Sequence, residues 1–230
     1  MLTRVPASLS GLVRCLRGHC WRCRAPAKAL FCEQCQAPLP VPSNLDHFRL
    51  LGVPTEYSLD QKELGRRFRQ LQARVHPDAL PRFNVGRAGS TTSSDEEYAL
   101  SLASTLSARL NNAYDTLRDD MRRAEYVASL QNISAAAASP ALLIDQLVMR
   151  DQIEKSAKDR DVSTLERMQE ALKERFQVAS QAFGEALVSK DPTTMGHLLC
   201  EMRFVTSTLT DLKRRISGID ILSDTQLEDA

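Results

Sequence analysis

The second half of the chain repeats apolar residues at alternating spacings of three and four, and this rhythm constrains the fold more than any other feature. One run carries Leu165, Met168, Leu172, Phe176, Ala179, Phe183 and Leu187. The next, after Asp191-Pro192, carries Met195, Leu198, Met202, Val205, Leu209, Leu212 and Ile216. That spacing lays one apolar stripe along a helix, whereas a strand would need a period of two. A further helix is expected over about 140–156, with Ser139 as N-cap and Pro140 in the first helical position. Three stripes hide one another in an antiparallel three-helix bundle, placed at 139–217. Aromatic content of 5% and nine glycines in the chain also suit helices better than sheets. Residues 218–230 hold Asp220, Asp224, Glu228 and Asp229 with no base, and read as an acidic tail.

The first half has its own helical pattern. Asp46-His47-Phe48-Arg49-Leu50-Leu51-Gly52-Val53-Pro54 reads as one short helix stopped by glycine and proline. Leu64, Phe68, Leu71 and Val75 then form one stripe of a helix over 59–75. Lys62, Arg66 and Arg69 project opposite that stripe, and Arg67 and Arg74 stand on its shoulders. Pro77 disfavours helical geometry at His76 and ends the helix, leaving Asp78 on a turn. Residues 79–94, with Gly86, Gly89 and a Ser/Thr run, read as a flexible insert. A capping box at Ser94-Asp95-Glu96-Glu97 opens a second helix carrying Ala99, Leu102, Leu106, Leu110, Ala113 and Leu117.

A short helix, a basic helix, His76-Pro77-Asp78, a loop and a longer helix resemble a J-domain, placed at 45–131. The stretches Phe68-Arg69-Gln70-Leu71-Gln72, Asn111-Asn112-Ala113-Tyr114-Asp115-Thr116-Leu117 and Arg123-Ala124-Glu125-Tyr126 resemble the HscB family of J-type co-chaperones of iron–sulfur cluster biogenesis. The resemblance implies a J-domain followed by a helical domain that binds the cluster scaffold protein. It implies that His76, Pro77 and Asp78 engage a DnaK-type chaperone and stimulate its ATPase, with Asp78 meeting a chaperone arginine. Arg66, Arg67, Arg69 and Arg74 would steer the encounter, mainly through its association rate. Leu143, Ile144, Leu147 and Asp151 on the first bundle helix, and Phe204 on the last, match positions of scaffold contact. For these apolar residues burial in the core is the commoner fate, so docking requires that some stay exposed as a patch. Val148 and Lys155 stand where relatives usually carry glutamates, which lowers charge complementarity to the scaffold.

Cys20-Trp21-Arg22-Cys23 and Cys32-Glu33-Gln34-Cys35 form two Cys-x-x-Cys knuckles eight residues apart. A tetrahedral zinc ion takes four thiolates, two from each knuckle, and would supply folding energy that a hairpin of residues 19–42 lacks. Trp21 and Phe31 are positioned to shield it. A redox pair, an iron–sulfur ligand set and a site shared across a homodimer are the alternatives. Animal members of the HscB family resemble this chain in carrying such a four-cysteine element. Cys200 is expected to be a buried helical thiol.

Residues 1–18 hold Arg4, Arg14 and Arg17 among Leu2, Val5, Leu9, Leu12, Val13 and Leu16, with no acid. That is the pattern of a mitochondrial targeting segment, with Cys15 leaving in it, and it implies the matrix with a cytosolic pool left open. A net charge of +1 gives no global push towards nucleic acid. No apolar run approaches the ~18 residues of a membrane helix. Without a glycine-rich phosphate loop or a convergent histidine set, the chain reads as an activator rather than an enzyme. Rival readings are a general J-protein serving other clients, a thiol oxidoreductase or cluster carrier, and a nucleic-acid binder. The oxidoreductase would lose activity with its cysteines, and no βαβ pattern surrounds either pair. The nucleic-acid reading lacks aromatic interleaving and overall basic charge.

Overall fold

The computed structural model describes residues 18–27, 29–75 and 93–227. Two short antiparallel strands, β1 (Gly18–His19) and β2 (Pro26–Ala27), precede α1 (His47–Leu51), α2 (Gln61–Val75), α3 (Ser93–Arg118), α4 (Asp120–Leu130), α5 (Pro140–Lys158), α6 (Val162–Ser189) and α7 (Pro192–Leu227). The all-α class holds, with the cysteine hairpin as a small appendage. His76, Pro77, Asp78, nearly all of the insert expected at 79–94 and all but Gly18 of the expected targeting segment lie outside the described residues. Contacts divide the chain between Asp119 and Asp120 into two units.

In the N-terminal unit local chemistry sets each helix boundary. Asp46 caps α1 by accepting from the Arg49 N–H at 2.8 Å, and Gly52 closes it in the left-handed region at φ 74°. Asp60 accepts from the N–H groups of Lys62 and Glu63, and so starts α2 two residues later than the apolar pattern suggested. The helix is described as far as Val75. Leu64 and Val75 are buried, while Phe68 stacks on Tyr114 with ring centroids 4.2 Å apart. From α3 come Ala103, Leu106, Leu110, Ala113 and Leu117. They close a helical hairpin with α2, and α1 packs against both helices.

In the C-terminal unit α6 and α7 form the main helix pair, with α5 laid against both. Ile153, Leu165, Leu172, Val205 and Leu212 make one core. Leu199 is buried where the stripe placed Leu198, because the stripe advances by four rather than three after Met195. Asp191 caps α7, taking the N–H groups of Thr193 and Thr194. The helix runs on to Leu227, so the segment expected as a tail continues the helical backbone. α4 packs on α6 and α7 through a face that includes Met121, Ala124, Val127 and Ala128. The connection after α4 crosses α7 closely, with the Ala136 N–H donating to Gly196 O at 2.8 Å. A Cβ at Gly196 would stand 3.0 Å from Ser134 O, so only glycine fits without a shift.

Candidate metal centre and docking surfaces

The hairpin is built from two near-copies of one turn. Cys20-x-x-Cys23-Arg24-Ala25 and Cys32-x-x-Cys35-Gln36-Ala37 share their hydrogen bonds. In each, the first cysteine's N–H donates to the alanine carbonyl, at 2.7 and 2.9 Å, and its own carbonyl accepts from the residue before that alanine. That residue is left-handed both times, Arg24 at φ 61° and Gln36 at φ 58°. A turn this tight points both thiols to one side.

All four sulfurs lie within 4.8 Å of one another, with Cys20 to Cys35 at 3.6 Å and Cys23 to Cys32 at 3.4 Å. A tetrahedral zinc site with Zn–S near 2.3 Å has sulfur–sulfur edges of about 3.8 Å. A disulfide would need about 2.05 Å. The four thiols therefore fit a metal ion, and one chain supplies them all. Burial pushes the Cys20 and Cys35 thiols up. Burial acts the same way on Cys32, but the N–H groups of Cys35 and Gln34 outweigh it and bring that thiol down to about 7. A cation in their midst offsets the cost of burying all four as thiolates.

The basic face of α2 is partly committed. Arg66 is exposed and pairs with Glu63 at 2.6 Å. Arg67 also pairs with Glu63, and donates to the Gly52 carbonyl that ends α1. Arg69 stands exposed. Arg74 lies over the Phe31 ring at 3.9 Å and donates to Gln36 Oε1 at 2.8 Å. The two arginines on the shoulders of the stripe thus serve the fold, and the two opposite it remain outward.

On α5 the apolar residues expected to dock do not go inside. Leu143, Ile144, Leu147 and Val148 are 48%, 62%, 67% and 51% exposed, and Asp151 is exposed beside them. Ile153 is the one buried residue of this helix, at 2%. Phe204 is half-buried, at the edge of the core. It lines a groove of about 880 Å³ together with Leu143 and Leu147, bordered by Arg150 and Arg214. Arg175 locks the three helices around it, reaching Asp145 of α5 at 2.5 Å and Glu201 of α7 at 2.8 Å, with its guanidinium 5.6 Å from the Phe204 ring centre. Cys200 is half-buried rather than buried.

The pattern alone did not find Arg175, nor Tyr98, which meets the Trp21 ring edge-on at 5.0 Å while Trp21 Nε1 donates to Pro38 O at 2.9 Å. The repeated Cys-x-x-Cys-[Arg/Gln]-Ala was a visible signal of the paired turns.

A helical hairpin with a short leading helix, followed by a separate helical bundle bearing an exposed apolar face, has the architecture of a J-type co-chaperone. Residues 138–213 match the HSCB C-terminal oligomerisation domain. The "Co-chaperone protein HscB homolog" of Paraburkholderia phytofirmans is 28% identical over 182 residues, covering 77% of this chain and 97% of its own. The "Iron-sulfur cluster co-chaperone protein HscB homolog" of Arabidopsis thaliana is 26% identical, over 79% of this chain and 68% of its own. Solved structures share the fold. HscB from Vibrio cholerae superposes with a TM-score of 0.62 at 24% identity, over 76% of this chain and 99% of its own. Human co-chaperone protein HscB gives 0.68 at 22%, over 86% and 98%. The chain belongs to the HscB family.

Proposed function

We propose that this protein is a co-chaperone of iron–sulfur cluster assembly that brings the cluster scaffold protein to a DnaK-type chaperone and stimulates that chaperone's ATPase. The observation that carries the reading is the α5 face. A run of apolar residues left about half to two thirds exposed, on a domain matching the HscB family, is a surface awaiting a partner. Leu143, Ile144 and Leu147 supply the contact, Phe204 lines the adjoining groove, and Asp151 sits at the exposed margin.

In the other unit, Arg66 and Arg69 draw an acidic chaperone surface to α2, and His76, Pro77 and Asp78 engage it. Binding one conformational state of the chaperone more tightly shifts it towards hydrolysis, so the chemistry belongs to the partner. Zinc on Cys20, Cys23, Cys32 and Cys35 is structural. It crosslinks the two knuckles, and all four positions of a tetrahedral ion are then taken by protein. The basic, acid-free segment 1–18 supports a mitochondrial matrix location.

The test is single-turnover ATP hydrolysis by the mitochondrial DnaK-type chaperone, with and without the scaffold, beside His76→Gln and Asp78→Asn. Synergistic stimulation that both substitutions abolish is expected. Stimulation indifferent to the scaffold would make the protein a general J-protein for other clients, and none at all would refute the proposal.

A further inference from the structure

The four-cysteine hairpin is not a free appendage. It touches both helices of the N-terminal hairpin at the same end. At the last turn of α2, Arg74 lies over Phe31 and bonds Gln36. Near the start of α3, Tyr98 meets the Trp21 ring edge-on. Behind these contacts Arg109 of α3 donates to the carbonyls of Val41, Pro42 and Leu45, at 3.0, 2.8 and 3.2 Å, which ties down the segment leading out of the hairpin. The helix ends so bridged are those that residues 76–92 join in the chain.

Each contact starts from a knuckle. Trp21 lies between Cys20 and Cys23, Phe31 precedes Cys32, and Gln36 follows Cys35 in the left-handed turn. Their placement depends on the thiols being held together, which is what a metal ion does for a segment too short to make a core of its own.

We propose that the metal-loaded hairpin is a strut. Through Trp21, Phe31 and Gln36 it fixes the spacing of the α2 and α3 ends, and thereby positions the chaperone-docking end of the helical hairpin. The functional half rests on the co-chaperone reading above; the structural half does not. Trp21, Phe31, Gln36 and Tyr98 act as positioning residues, without touching the partner themselves. Metal loss weakens docking on the chaperone and leaves the scaffold surface of the other unit untouched.

The experiment compares the full chain loaded with zinc, the same chain stripped by a chelator under reducing conditions, and zinc-loaded Tyr98→Ala and Tyr98→Phe. Tyr98 is 44% exposed, so its truncation spares the fold. Amide hydrogen exchange is read by peptide, and chaperone ATPase stimulation is titrated in parallel. Stripping zinc should speed exchange at residues 73–75 and 97–101 about tenfold, the combined size of one cation–π and one aromatic edge contact. Exchange around the Phe68–Tyr114 stack should hold. The emission of Trp21, the chain's single tryptophan, should shift to the red. The co-chaperone concentration for half-maximal stimulation should rise several-fold with the maximum unchanged.

Zinc-loaded Tyr98→Ala should show the same pattern more weakly, and Tyr98→Phe, which keeps the ring, should match wild type. Faster exchange confined to the hairpin, or spread evenly along both helices, would overturn the strut. Faster exchange at the helix ends with an unchanged stimulation curve would overturn its role in docking. A wild-type chain that stimulates nothing would refute the co-chaperone reading, while the exchange data still decide the strut.

Discussion

Leu147 and Ile153 lie on the same helix, six positions apart, and truncating each to alanine separates a docking surface from a core. Ile153 is 2% exposed and packs in the cluster with Leu165, Leu172, Val205 and Leu212. Ile153→Ala should cost the bundle about 2–5 kcal/mol, a fall in melting temperature of about 10 °C or more for a unit of this size. Leu147 is 67% exposed, so two thirds of its surface gains nothing from folding. Leu147→Ala should therefore cost less than about 1 kcal/mol of stability, partly offset by alanine's helix propensity. Fully burying a leucine contributes roughly 1.5–3 kcal/mol, so covering the exposed two thirds against a partner contributes about 1–2 kcal/mol. Scaffold affinity should fall about 5- to 30-fold in Leu147→Ala. Thermal unfolding and isothermal titration against the scaffold read the two effects. The reasoning fails if Leu147→Ala melts as early as Ile153→Ala, or if it binds the scaffold as tightly as wild type.

Further outcomes are open to direct measurement. Hydrogen bonds from Arg66 and then Arg67 hold the Glu63 carboxyl down at about 2, so its NMR titration midpoint should lie near there. With the folded pKa below the ordinary 4.5, this ion pair's contribution is complete above that value and is lost as pH falls towards 2; a midpoint near 4.5 would contradict the pairing. Gly196→Ala gains helix propensity but presses its Cβ to 3.0 Å from Ser134 O, and a net loss of about 1–2 kcal/mol is expected in chemical denaturation. Cys35→Ser should abolish stoichiometric zinc binding and red-shift the Trp21 emission, while far-UV circular dichroism keeps its helical signal. In wild type, zinc affinity should weaken as pH drops through 7, because thiols held above or near that value regain their protons in competition with the metal.

The helices and most of their first residues were legible in the sequence because caps and stripes are local, while the run of α7 on to Leu227 was not. Asp46, Gly52, Ser139 and Asp191 act on N–H and C=O groups a few positions away, whatever the rest of the chain does. The thiol spacing was local as well, and two Cys-x-x-Cys turns in near-identical settings announce a four-sulfur site by themselves. Periodicity could not say which face of α5 would be covered. Leu143, Leu147 and Ile153 are all apolar residues of one helix, and only the seating of α5 on α6 and α7 buries the last and exposes the others.

Charge behaved in the same way. The sequence by itself determined that α2 is basic and that its stripe runs from Leu64 to Val75. Tertiary structure alone decided that Arg67 ties to Gly52, and that Arg74 turns back onto Phe31 and Gln36. The same holds for Arg175, which joins residues 30 and 26 positions away in opposite directions along the chain. Propensity, capping and metal-ligand spacing are carried by residues a few positions apart. Burial and ion pairing depend on which surfaces meet, and that follows from minimising exposed apolar area over the whole chain at once.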